Sequence, residues 1–127
     1  MRGASALDKL LRQQSDKKVA ALIVWERVGR SRFAPAATKA PPSSVLSRIS
    51  DLRLAQFWDG GQLTSSAFRD AARKHPEWPT GELKNGGVIW DTVLVFAPGG
   101  RWDDVPPTPS YVGGDVVDVI DEVQKRL

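Results

Sequence analysis

At 127 residues, with 41% hydrophobic side chains, the chain is long enough for one core and too short for two ordinary domains. It contains no cysteine, which excludes disulfides, thiol redox chemistry, thiolate metal sites and a cysteine nucleophile. The net charge of +3 conceals an asymmetry: residues 1–50 hold ten Lys/Arg against three Asp/Glu, and residues 51–127 hold eight against twelve.

Leu7, Leu10 and Leu11 recur at helical spacing and predict a short amphipathic leading helix over Ala6 to Gln14. Lys17-Lys18 then precede Val19 to Trp25, a continuous apolar run whose length and β-branching suit a central strand covered on both faces. Gly29, Pro35, Pro41 and Pro42 make residues 27–42 a long, mobile connection within a single domain spanning 1–127. Ser43 or Ser44 can cap a short helix reaching Ile49. Leu52 to Trp58 reads as a second strand, stopped by Asp59-Gly60-Gly61.

The next helix carries strong local signals. Thr64 is placed to cap it, Leu63 and Phe68 to form a hydrophobic staple, and Asp70 to pair with Lys74; Ala67, Phe68, Ala71 and Ala72 form its apolar stripe. It ends near His75, because Pro76 follows and opens a polar loop to Gly87. Val88 to Ala97 predicts a third strand ended by Pro98-Gly99-Gly100. Pro106, Pro107 and Pro109 then disfavour helix and suit an extended edge strand containing Ser110-Tyr111-Val112. The last helix begins at Asp115 as a cap; Val116, Val119, Ile120, Val123 and Leu127 make its stripe, and Asp121 stands four residues before Lys125.

After the leading helix, this element order resembles the thioredoxin fold: a βαβ unit, a helix, an antiparallel strand pair and a terminal helix. The text also looks like a group of cysteine-less, thioredoxin-like bacterial domains. The matching residues are Phe57-Trp58-Asp59, Val88-Ile89-Trp90-Asp91, the run Val95-Phe96-Ala97-Pro98-Gly99-Gly100-Arg101-Trp102, and Pro106-Pro107-Thr108-Pro109. The resemblance implies an α/β, three-layer domain with a four-stranded mixed sheet flanked by helices, plus an extra N-terminal helix. Where thioredoxins carry Cys-x-x-Cys this chain has Arg27-Val28-Gly29-Arg30-Ser31, so the implied domain is redox-inactive. That family's cis-proline before the third strand is also replaced, by Gly86-Gly87.

Three of the five tryptophans precede aspartate, as Trp58-Asp59, Trp90-Asp91 and Trp102-Asp103. A large ring with one N–H donor beside a carboxylate acceptor suits either a binding edge or a plugged core. On the third strand, Asp91 alternates onto the face of Ile89, Val93 and Val95, where desolvation would raise its pKa and make it an acid or base. The competing reading has Asp91 accepting loop hydrogen bonds. Arg101, Trp102, Asp103 and Asp104 form a second cluster suited to a ligand or to internal pairing.

The glycine pairs lack a phosphate-loop context, His75 has no partner at catalytic spacing, and the acidic residues offer no recognised metal spacing. No cofactor and no metal are therefore expected. The leading expectation is a protein- or peptide-binding module whose sheet edge is flanked by Trp58, Asp59, Asp91, Arg101, Trp102, Asp103 and Tyr111. The first alternative is a small enzyme with Asp91 as acid or base and Arg101 as anion holder. The second is nucleic-acid binding through the basic first half, which its scattered cations disfavour. Met1-Arg2-Gly3-Ala4-Ser5 lacks a signal-peptide core and no apolar run has membrane-spanning length. A soluble chain is expected, cytoplasmic if complete and extracytoplasmic if a leader was removed.

Overall fold

The structure, a computed structural model, describes residues 2–29, 38–79, 83 and 87–127. Much of the connection expected over 27–42, and of the loop expected between Pro76 and Gly87, lies outside the described residues. The chain divides into two compact units, Met1–Leu63 and Thr64–Leu127.

In the first unit, helix α1 spans Arg2–Gln13 and buries Gly3, Asp8, Leu10 and Leu11. Residues 3, 7, 10 and 11 recur within about two turns, the spacing that gives a helix one apolar side. The helix begins earlier than Ala6 because Gly3 joins the buried side. Strand β1 is Ala21–Glu26, α2 is the single turn Ser43–Leu46, and β2 is Leu54–Asp59. The N-cap of α2 is Pro42, not Ser43 or Ser44, and no side chain caps it. Strands β1 and β2 are parallel, with Ala21 opposite Leu54 and Glu26 opposite Asp59.

Strand β2 starts two residues later than the apolar run suggests. The Asp51 carboxylate accepts the Arg53 backbone N–H at 2.9 Å, and the Asp51 carbonyl accepts that of Leu54 at 3.1 Å. These bonds fold residues 51–54 into a turn, which leaves Leu52 fully exposed.

In the second unit, α3 (Leu63–Lys74, its first residue belonging to the preceding unit) presents Phe68, Ala71 and Ala72 to a core shared with Trp78 and Leu83. Ile89, Leu94, Phe96 and Val112 pack against that cluster. Helix α3 already includes Leu63, so it starts one residue before the expected cap Thr64; Leu63 is exposed, whereas Phe68 is buried. Asp70 pairs with Arg73 at 2.9 Å, one residue short of the expected Lys74.

Strand β3 is Thr92–Phe96 and pairs antiparallel with β4, Pro109–Gly114, with a register irregularity between Val95 and Phe96. The run Val88–Trp90 does not enter β3, because Asp91 has a left-handed backbone (φ 42°) that interrupts the extended chain. Helix α4, Val116–Gln124, buries Val116 and Val123. Its N-cap is Asp115 as the sequence suggests, but the side chain makes no capping hydrogen bond because Asp115 is itself left-handed (φ 40°). Glu122, rather than Asp121, pairs with Lys125 at 2.6 Å, and also with Arg126 at 2.8 Å.

The three-layer, four-stranded mixed sheet implied by the thioredoxin resemblance is not formed. Among the described residues the strands make two separate two-stranded sheets, β1–β2 parallel and β3–β4 antiparallel. Each strand hydrogen-bonds to one neighbour only, so no strand occupies the central position that the apolar run of β1 suggested.

Candidate binding face

The β1–β2 pair has two chemically different sides. Side chains alternate along a strand, so Ile23, Trp25, Gln56 and Trp58 share one side, and Leu22, Val24, Ala55 and Phe57 share the other. On the first side, Trp25 Nε1 donates to Gln56 Oε1 at 3.0 Å, and Gln56 Nε2 donates to the Leu46 carbonyl of α2 at 3.0 Å. This chain of bonds fixes both strands to α2.

The second side is apolar and uncovered. Leu22 is 66% exposed, Val24 38% and Phe57 53%, and Ala55 is exposed beside them. Register places Leu22 opposite Ala55 and Val24 opposite Phe57, so the four side chains form one contiguous strip. The expected double coverage of β1 is therefore corrected: one of its faces is open. Parallel sheets are ordinarily covered on both faces, and a lone two-stranded sheet is at best marginally stable.

A polar clasp holds the start of β2 to α1. Arg53 donates from Nη1 to the Gln14 carbonyl at 2.7 Å and the Lys17 carbonyl at 3.2 Å, and from Nη2 to the Leu11 carbonyl. These carbonyls lie at and just beyond the end of α1, where helix acceptors need partners and a cation complements the dipole. Arg53 also grips Asp51, from Nε at 3.0 Å and Nη2 at 2.8 Å. Those bonds, with the Arg53 backbone N–H, hold the Asp51 carboxyl at about 2.

Nearby, the buried Asp8 carboxylate accepts the backbone N–H groups of Ser50 at 2.9 Å and Asp51 at 3.0 Å, and pairs with Arg12. Burial pushes its pKa up, but the Asp51 and Ser50 N–H groups and Arg12 outweigh that and bring it below the ordinary value. The clasp is internally satisfied and therefore positions the sheet rather than offering a site.

The residues singled out in the sequence fall in different places. Trp58 is partly exposed on the α2-linked side, its indole against Gly60, where an added Cβ would lie 3.0 Å from Nε1. Asp59 shapes the turn after β2: its side chain accepts the Gly61 N–H at 3.1 Å and its carbonyl accepts the Arg27 N–H at 3.2 Å. The other five candidates belong to the second unit.

Asp91 precedes β3, exposed, with its carbonyl accepting the Val116 N–H at 3.1 Å. Arg101, Trp102 and Asp103 follow the opposite end of β3 and are exposed. A strand of this length holds its two ends roughly 15 Å or more apart, so Asp91 and Arg101 do not converge on one small ligand. Trp102 is 48% exposed and meets Phe68 edge to face, with ring centroids 5.0 Å apart. Tyr111 lies under the Arg126 guanidinium, 4.2 Å from the ring centroid, and over Gly113, where a Cβ would stand 2.5 Å from its hydroxyl.

Among the described residues, no group of three or more His, Asp and Glu side chains is arranged to hold a metal ion, and no helix is long and apolar enough to cross a membrane. Sequence reasoning missed Leu22, Val24 and Phe57 as surface residues. Leu22 and Val24 lie in a run where every side chain is apolar, so the alternation that would separate a covered face from an open one is invisible there. No protein-family model, curated protein or solved structure matches the chain.

Proposed function

We propose that the chain is a protein-binding module that captures an apolar segment of a partner on the Leu22, Val24, Ala55 and Phe57 side of β1–β2. The observation that supports this reading is the open apolar strip itself: a contiguous set of apolar side chains, three of them large, on a regular element, held by the Arg53–Asp51 clasp and by the Trp25–Gln56–Leu46 hydrogen bonds on the far side. Exposed apolar patches on regular elements are characteristic of interaction surfaces. Removing such a strip from water favours association at roughly 25 cal/mol per Å² of apolar area, before the costs of docking are subtracted.

The test is selection of peptides from a random library on the immobilised full chain, run in parallel on Val24→Asp. Circular dichroism and thermal melting verify that the variant folds, as expected for an exposed position. Peptides enriched by the parent chain should bind Val24→Asp at least tenfold more weakly. Equal binding to the variant, or no enrichment on the parent, would overturn the reading.

A further inference from the structure

The open strip also specifies the shape and charge of its occupant; this deepens the binding reading above and rests on it. We infer that the partner segment is an amphipathic helix bearing acidic residues. Parallel strands are normally covered by helices laid along them, since a helix supplies a matching apolar stripe and satisfies its own backbone. Six-residue strands extend about 20 Å, which a helix of about 13 residues spans. The strip is two strands wide, about 5 Å between neighbours, and suits the stripe of one helix rather than a second sheet.

Charge supplies the second half of the inference. Residues 1–63 carry eleven Lys/Arg against five Asp/Glu, a balance of +6. Lys17 and Lys18, both exposed, stand four and three residues before the first residue of β1, with Asp16 as the nearby acid in sequence. Arg53 is already committed to Asp51 and the α1 carbonyls. At the other end of the sheet the register sets Glu26 opposite Asp59, with the exposed Arg27 next in the chain. Acidic side chains on the helix end above those lysines would meet opposite charge at the rim, which sets orientation and association rate.

The experiment measures fluorescence anisotropy of three labelled 13-residue peptides with the full chain. The first is an amphipathic helix of Leu and Glu; the second replaces Glu by Lys; the third rearranges the first into strict apolar–polar alternation. The first should bind at least tenfold tighter than either other, weaken as salt rises, and gain helical circular dichroism when bound. The double variant Lys17→Glu, Lys18→Glu should shift the preference toward the Lys-bearing peptide. Equal or tighter binding of the alternating peptide overturns the helical occupant, and a preference unmoved by the charge reversal overturns the acidic one. If no peptide binds, or if all bind Val24→Asp as well as the parent chain, the binding face itself is wrong.

Discussion

Asp91 and Asp115 each lie one residue beyond Thr92–Gly114, the end rung of the β3–β4 ladder, and both have left-handed backbones, at φ 42° and 40°. The Asp91 carbonyl accepts the Val116 N–H at 3.1 Å, which ties the start of β3 to the start of α4. A left-handed conformation costs an L-residue roughly 1–2 kcal/mol, somewhat less for aspartate, and glycine avoids it.

Replacing either residue therefore tests whether backbone or carboxylate matters. Asp91→Gly and Asp115→Gly should leave stability unchanged or raise it by up to about 1 kcal/mol, whereas Asp91→Val and Asp115→Val should lower it by about 1–3 kcal/mol. Urea unfolding at neutral pH measures both. A glycine variant as damaged as its valine counterpart would show that the carboxylate is the structural element.

Acid should loosen both units in a defined range. The Asp51 carboxyl is held at about 2 by the Arg53 side chain and backbone N–H, and Glu122 at about 2 by Lys125 and Arg126. Both folded values lie below the ordinary carboxyl value of about 4. The stabilisation these anions provide is thus complete above pH of about 4 and is lost as pH falls through about 2. The urea midpoint should drop across that interval. In Asp51→Asn the midpoint should be lower at pH 7 and fall less on acidification; an unchanged pH slope would remove Asp51 from the account.

Trp102 and Phe68 should differ sharply despite their contact. Phe68 is 5% exposed within the core, and Phe68→Ala should cost about 3–5 kcal/mol. Trp102 contributes an edge-to-face contact at 5.0 Å from a half-exposed position, so Trp102→Ala should cost about 1 kcal/mol and leave the unit folded. Chemical denaturation of the two variants provides the comparison, and similar losses would place Trp102 in the core.

The sequence made some of this legible and concealed the rest for physical reasons. The stripe of α4 could be read because Val116, Val119, Ile120 and Val123 recur with helical period among charged neighbours, and β4 could be read because Pro106, Pro107 and Pro109, at and just before its start, disfavour helix there. The failure at Asp91 had a local cause: a left-handed residue stopped β3 from extending back to Val88, which alternation alone does not register. The clasp of Arg53, Asp51 and Asp8 was hidden because its parts are up to 45 positions apart and owe their roles to carbonyls and N–H groups, which every residue possesses. The three Trp-Asp pairs proved to be unlike one another. Asp59 shapes a turn, Asp91 interrupts a strand, and Asp103 lies exposed in the loop after β3.

Leu52 sits at the crest of the Asp51–Leu54 turn, fully exposed while Asp51 and Arg53 on either side reach back into the clasp. In a chain without cysteine, Leu52→Cys would create a unique thiol there. A dye or spin label attached to it would report on the joint between α1 and β2 from a position that contributes nothing to holding that joint closed.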